Sequence, residues 1–274
     1  MKKKIAALLL AAMMCTLAAC GAKDATADDE TNDKDTLVVA MELAYPPFET
    51  KDADGNPSGV SVDFAKAFGE YIGKDVVIEN IAWDGLIPAL QTGKADMVMS
   101  SMTITDERKE KVDFSEPYAN ALLALLTNKD SGITSIEDMN VEGRKIAVKT
   151  GSTGYFYAQK NLPNVEIIAL ADESACVTEV VQGKADGFIY DQLTIYRNWQ
   201  ANLDTTGAVF IPFQEADQWG IAVQKGNTEL LDELNEFIEK YTDEGGFDEL
   251  TDKYLADEKK AFEELGFKWF FDMD

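Results

Sequence analysis

Three groups of residues in this chain have the types and spacing to act on a small polar molecule. The first is the run Ser100-Ser101-Met102-Thr103-Ile104-Thr105-Asp106-Glu107-Arg108. Ala95 to Met99 ahead of it reads as a buried strand, and Asp106 to Val112 as a short helix with Thr105 as its N-cap. Hydroxyls and free backbone N–H groups therefore gather where a strand gives way to a helix, a place that binds anions. Arg108 falls in the first helical turn, where the macrodipole disfavours a cation. A planar guanidinium placed there is suited to hold a carboxylate. The alternative is a surface arginine paired with Asp106 or Glu110. The second group is Lys149-Thr150-Gly151-Ser152-Thr153-Gly154, a Gly-rich loop after a strand, opening a helix from Tyr155. It has neither G-x-x-x-x-G-K nor G-x-G-x-x-G order, so it is not a nucleotide loop. The third group consists of acids and aromatics at or near strand ends: Glu42, Tyr45, Trp83 and Asp191. Tyr45 and Trp83 also fit ordinary core positions, and Asp191 an ordinary strand-end acid.

Composition narrows the chemistry. There is no histidine, which removes Ser-His-Asp and Cys-His catalysis and every His-ligated metal site. The three cysteines form no C-x-x-C pair, so neither a zinc nor a redox dithiol site is expected. Cys176 lies in an apolar helical pattern and reads as a small buried hydrophobe. With 25 Lys+Arg against 50 Asp+Glu, the net charge of −25 argues against nucleic acid and against an anionic membrane surface as partners. Asp52-Ala53-Asp54-Gly55-Asn56 resembles a calcium loop only in part, lacking its closing Glu, and reads as a hairpin tip. No metal or cofactor is expected.

Residues 1–19 read as a leader. Lys2-Lys3-Lys4 is a basic start, and Ile5 to Leu17 is an apolar run too short to span a bilayer. The following Leu17-Ala18-Ala19-Cys20 resembles the bacterial lipobox, which implies lipidation at Cys20 and an anchor on the extracytoplasmic side of the cell membrane. Residues 20–35 are Ala/Thr/Asp-rich without apolar periodicity and read as a disordered tether.

The elements that must position the three groups come in two similar sets. Leu37–Met41 is a strand, Val62 to Ile72 an amphipathic helix, Val76 to Ile78 a strand and Leu86 to Gln91 a helix. Arg144 to Val148, Val165 to Ile168 and Gly187 to Tyr190 are strands of the second set, with a helix over Ser174 to Gln182. Gly93-Lys94-Ala95-Asp96 recurs as Gly183-Lys184-Ala185-Asp186, each copy stopping a helix and starting a strand. Two α/β lobes are expected, each presenting strand C-termini, where ligands bind in open sheets. Gly220 to Val223 adds a strand, and Leu230 to Tyr241 and Phe247 to Leu255 add helices. The apolar, acidic tail Ala261 to Asp274 is expected to pack on the first lobe, the alternative being a patch for a partner.

Five motifs occur in order: Tyr45-Pro46-Pro47-Phe48-Glu49, Trp83 to Leu90, Ser100 to Arg108, Val112 to Tyr118, and Gly220 to Val223. Together they resemble the polar amino-acid-binding proteins of ABC importers, the bacterial extracellular solute-binding proteins of family 3. The resemblance covers roughly Thr36 to Leu255. It implies a two-lobed periplasmic-binding-protein-like α/β fold of type II, with hinges near Ala119–Leu125 and Gln214–Gly220 and the ligand in the cleft. Lobe 1 would comprise 36–121 with 219–274, and lobe 2 would comprise 122–218. Carried over by position, Arg108, Thr103 and the Ser101 backbone match the carboxylate binders. Asp191 matches the acid for the α-ammonium, Ser152 or Thr153 the second-lobe anion contact, and Tyr45 and Trp83 the aromatic walls. Val60-Ser61 departs from the usual aromatic-acid pair, and Asp191-Gln192-Leu193 from the usual x-Pro.

The resemblance implies a monomeric binding lipoprotein that hands a free amino acid to ABC permease subunits. The alternatives are a dehydratase of a cyclic acid on the same fold, with Glu42 as general acid, and a receptor sensor domain, which would need a spanning segment. Glu42 lies just past the first strand of its set and Lys149 in the matching place of the second. Alternation with Ile146, Val148 and Thr150 turns Lys149 away from that apolar row. If the two meet on closure, their charges satisfy each other and the pocket suits an uncharged amide. The glutamine-binding members carry this pair, which implies glutamine first, with arginine, lysine or histidine second.

Overall fold

The computed structural model describes residues 35–210 and 215–273. Cys20 and the leader lie outside the described residues, as does Gln214 in the second expected hinge. The chain begins with β1 (Thr36–Met41), the hairpin β2 (Thr50–Lys51) and β3 (Pro57–Ser58), α1 (Val60–Ile72), and β4 (Asp75–Asn80). It continues through α2 (Leu86–Gln91), β5 (Met97–Val98), α3 (Asp106–Lys109), β6 (Val112–Phe114) and β7 (Ala119–Ala121). Next come β8 (Leu123–Asn128), α4 (Ile136–Met139), β9 (Lys145–Lys149), α5 (Thr153–Asn161), β10 (Glu166–Leu170) and α6 (Glu173–Val181). Then follow β11 (Gly187–Asp191), α7 (Gln192–Ala201), β12 (Thr206–Val209), β13 (Asp217–Trp219), β14 (Ala222–Gln224), α8 (Thr228–Asp243), α9 (Gly246–Tyr254) and α10 (Ala256–Leu265).

Two five-stranded sheets result, in the orders β4-β1-β5-β14-β6 and β10-β9-β11-β8-β12. In each, three strands pair in parallel and the last two join by antiparallel pairing, so the sheets are topological copies. The repeated Gly-Lys-Ala-Asp segments play the same part in both. Gly93 and Gly183 turn the chain out of α2 and α6 at φ 70° and 69°, a conformation glycine adopts without strain. Asp96 then accepts a hydrogen bond from the Val38 N–H at 2.7 Å, and Asp186 from the Lys145 N–H at 2.8 Å. Asp96 thus stitches its loop to β1, and Asp186 to β9. The strand expected over Ala95 to Met99 is shorter in the structure, Met97–Val98. Likewise the helix expected to reach Val112 stops at Lys109, because Val112 pairs with Gln224 in the sheet. The helix expected from Tyr155 starts at Thr153, capped by Ser152.

β7 and β13 pair antiparallel as a two-stranded ribbon outside both sheets, with Trp219 opposite Ala119. The segment after α10 runs against this ribbon. The Asn120 N–H donates to the Phe270 carbonyl at 2.7 Å, and Asn120 Nδ2 to the Asp272 carbonyl at 2.9 Å. Phe270 is buried between Phe48 and Trp219, and Phe271 stacks on Phe247, so the tail packs on the first sheet's core. It also meets α7 and the chain beyond β12, through Phe262 against Tyr196 and Phe267 against Phe210. No helix among the described residues is long and apolar enough to cross a membrane.

Candidate functional site

The C-terminal ends of β1 and β5 face those of β9 and β11 across a cleft. Between them lies a cavity of about 50 Å³, measured as room for water centres. At about 10–15 Å³ per water this is space for a few waters or one small polar molecule, not a peptide. It is lined by Glu42, Tyr45, Trp83, Ser100, Ser101, Thr103, Arg108, Ser152, Thr153, Tyr190, Asp191 and Trp219.

Thr105 caps α3 by accepting from the Arg108 N–H at 3.2 Å, which fixes the backbone that carries Arg108. The Arg108 side chain is buried, with the residue 7% exposed. Its Nη1 donates to the Thr103 carbonyl at 2.7 Å and its Nη2 to the Gly151 carbonyl at 3.1 Å. Its guanidinium carbon lies 5.2 Å from the centre of the Trp83 ring. Neither Asp106 nor Glu110 pairs with it, and among the described residues no carboxylate does. Burial pulls its pKa down to about 10, opposed by the charges of Asp217, Tyr190 and Glu107, so it stays charged at neutral pH. Arginine has five donors, and two are spent on carbonyls. Beside it Ser101 holds a left-handed φ of 47°, a conformation uncommon in a residue with a Cβ and typical of functional loops.

The second lobe brings two N-termini of helices. Ser152 caps α5, accepting from the Tyr155 N–H at 3.1 Å. Its own proton is free to point elsewhere. Asp191 caps α7: Oδ1 accepts from the Leu193 and Thr194 N–H groups at 2.9 and 3.1 Å. Its Oδ2 is buried beside the Tyr45 hydroxyl, outside good hydrogen-bond geometry, and meets no cation among the described residues. Burial raises the Asp191 pKa, while Thr194, Tyr45 and Leu193 hold it down. An unpartnered buried carboxylate oxygen is costly unless something positive or a donor meets it.

Lys149 alone among the expected residues does not line the cavity. It is 3% exposed and its ammonium is paired with the Glu42 carboxylate. The other Glu42 oxygen accepts from the Trp83 N–H at 3.2 Å. Trp83 Nε1 in turn donates to the Gly151 carbonyl at 3.2 Å. Both lobes are thus joined across the cleft at Glu42–Lys149, at Trp83–Gly151 and at Arg108–Gly151.

Ser100, Tyr190 and Trp219 also line the cavity but carry no separate signal in the sequence. Ser100 accepts from the Glu42 N–H at 3.0 Å. Tyr190 and Trp219 close the aromatic wall, each edge-on to Tyr45, at 6.1 and 6.2 Å between ring centres. Their positions were readable only as the residue before Asp191 and the residue before the Gly220 strand.

The profile of the bacterial extracellular solute-binding proteins, family 3, matches residues 37–257. The chain belongs to this family. Its sequence is 34% identical over 264 residues to a probable histidine-binding protein of Neisseria gonorrhoeae, covering 94% of this chain and 97% of that protein. Among solved structures, an ancestral arginine-binding protein bound to arginine superposes with a TM-score of 0.75 at 35% identity, covering 81% of this chain and 98% of the other. An ancestral arginine-binding protein bound to glutamine gives 0.73, with the same identity and coverage. An ancestral amino acid-binding protein described as a precursor of cyclohexadienyl dehydratase gives 0.74 at 38% identity, covering 81% of this chain and 95% of that one. The two-lobed α/β fold is therefore that of the amino-acid-binding members of this family.

Proposed function

We propose that the protein captures a free polar L-amino acid outside the cytoplasmic membrane and delivers it to an ABC permease, acting as a monomer tethered by lipid at Cys20. The observation that carries this reading is the pairing of opposites in one small cavity. A buried guanidinium with no carboxylate paired to it among the described residues faces it from lobe 1. The Asp191 carboxylate faces it from the other lobe, with the Tyr45 hydroxyl beside its Oδ2 and no cation paired with it among the described residues. A zwitterion supplies what each lacks: its carboxylate meets Arg108, Thr103, Ser101 and Ser152 or Thr153, and its ammonium meets Asp191. The lobes divide at 121/122 and 218/219 in this reading.

Glutamine is the first choice of ligand. Glu42 and Lys149 satisfy each other, so the side-chain end of the pocket carries no net charge to match a cation. An amide fits there between Tyr45 and Trp83. The ancestral arginine-binding structures, one with arginine and one with glutamine, support keeping arginine second. Glu42 engaged as an acceptor by Lys149 and by the Trp83 N–H does not suit a general acid, which favours binding over dehydration of a cyclic acid.

A thermal-shift screen against the common amino acids tests the function. A ligand at a hundredfold its Kd adds about 2.7 kcal/mol, which for a domain of this size raises the Tm by roughly 5 °C or more. A screen in which no amino acid shifts the Tm would sink the reading. Because both lobes supply contacts, the ligand favours the closed state by its differential affinity. The radius of gyration from solution scattering is expected to fall on saturation. An unchanged value would argue against ligand-driven closure.

A further inference from the structure

One buried acid is not used by this binding scheme. Glu49 ends the loop after Pro46-Pro47 and is 0% exposed. Its Oε1 accepts from the Ser61 hydroxyl, at the start of α1, and from the Ser101 hydroxyl at 2.9 Å. Its Oε2 has no hydrogen-bond partner among the described residues, and the buried Tyr118 hydroxyl lies beside Ser61 and Ser101. Ser101 is the residue held at positive φ on the cavity wall, so Glu49 stands directly behind it.

The protonation state of Glu49 decides what Ser101 offers the cavity. An ionised carboxylate can only accept. It takes the Ser101 proton and leaves oxygen lone pairs facing an incoming ligand carboxylate. A neutral carboxyl protonated on Oε1 can donate that one O–H to Ser101 Oγ while Oε1 still accepts from Ser61, and the Ser101 proton is then free to turn toward the ligand.

We propose that Glu49 is a positioning residue for the ligand, a buried neutral carboxyl that donates to Ser101 so that the Ser101 hydroxyl donates to the ligand carboxylate. This rests on the amino-acid-binding reading given above. The surroundings agree with a neutral acid. Burial raises the Glu49 pKa to about 8, with Glu42 after β1 adding repulsion. Ser61, Ser101 and Lys149 of β9 oppose the shift. The other titratable groups facing Glu49 are Tyr118 ahead of β7 and Tyr190 of β11, both held neutral by burial. A ligand carboxylate adds negative charge beside Ser101, so binding favours the protonated acid and draws in a proton where free Glu49 is partly ionised.

The test is calorimetry with L-glutamine and L-arginine from about pH 6 to about pH 9.5, a range that spans the Glu49 titration. It is run on the wild type, Glu49→Gln, Glu49→Ala and Ser101→Gly. The wild type is expected to bind about tenfold more weakly at about pH 9 than at about pH 7, and to take up about half a proton per ligand near pH 8 through this group. Glu49→Gln keeps a neutral donor, so it should bind near the wild-type level at neutral pH and lose that step. Glu49→Ala should bind weakly at every pH. Ser101→Gly tolerates the positive φ and lacks the hydroxyl, so it should lose affinity and the pH step together. The ligand ammonium titrates in all four proteins, so the difference between profiles is the readout. A wild-type profile no steeper than that of Glu49→Gln, or than that of Ser101→Gly if the Gln variant does not fold, overturns the proposal and leaves the binding function intact. Failure of the wild type to bind any amino acid overturns the binding function and the proposal with it.

Discussion

Arg108→Ala is expected to weaken amino-acid binding by more than a hundredfold while the chain stays folded. The substitution removes a charge-assisted hydrogen-bonding fork, worth on the order of 3 kcal/mol in a desolvated site, and that energy is a factor of about 150 in Kd. The effect should fall on binding and not on folding, for a reason visible in the wiring of the side chain. Arg108 holds two backbone carbonyls, of Thr103 and Gly151, and no carboxylate among the described residues. Removing it orphans no buried anion. It also removes a desolvated cation, which is itself costly to the folded state. The melting temperature should therefore change by only a few degrees in the absence of amino acid, while the ligand-induced rise disappears. Calorimetry showing near-normal affinity in this variant would remove Arg108 from the site. A collapse of stability would show instead that the Gly151 hydrogen bond across the cleft is structural.

Much of this arrangement was legible in the sequence because it rests on local rules. Thr105 as N-cap places Arg108, and Gly93-Lys94-Ala95-Asp96 with its second copy marks the same joint in both sheets. Strand alternation puts Lys149 on the face that meets Glu42. What was not legible depends on the other lobe or on burial. β8 and β12 are antiparallel strands completing the second sheet, and Thr206-Gly207-Ala208-Val209 has too little periodicity to announce one. Helix α7 is half polar along its length, Gln-Leu-Thr-Ile-Tyr-Arg-Asn-Trp-Gln-Ala, and follows an acid that could end a strand. Asp191 does both: it ends β11 and caps α7. Glu49 was invisible as a buried group, since an acid between Pro-Pro-Phe and a polar hairpin reads as exposed loop. Only the meeting of α1, the Ser101 loop and the Tyr118 segment buries it. Tyr190 and Trp219 reach the cavity for a similar reason, because a two-stranded ribbon and the end of β11 converge there.

Lys149→Ala is expected to turn the pocket from an uncharged polar amino acid toward arginine and lysine. In the wild type the Lys149 ammonium is engaged by Glu42 and lies 5.4 Å from the centre of the Trp83 ring. Glu173, at the start of α6, lies close enough to feel it. Burial and the Asp191 charge raise the Glu173 pKa to about 8, and Lys149 pulls it down. Removing the lysine has two consequences of different sign. Glu173 loses a stabilising cation and stays protonated at neutral pH, so it adds no charge. Glu42 loses its ion pair but keeps the hydrogen bond from the Trp83 N–H at 3.2 Å. The pocket then carries one unmatched negative charge at the side-chain end, which a guanidinium or ammonium satisfies and an amide does not. The ratio of arginine to glutamine affinity should rise by roughly tenfold to a hundredfold, on the scale of about 1.4 to 2.8 kcal/mol. Breaking a buried pair also costs stability, about 3 kcal/mol or more, so the free variant should melt lower and regain more from arginine than from glutamine. Lys149→Met keeps most of the buried stem and separates the effect of packing from that of charge. Competition titrations on both variants decide the matter. An unchanged ratio in Lys149→Met, or a wild type that already prefers arginine by tenfold, would mean that the Glu42–Lys149 pair does not select the ligand.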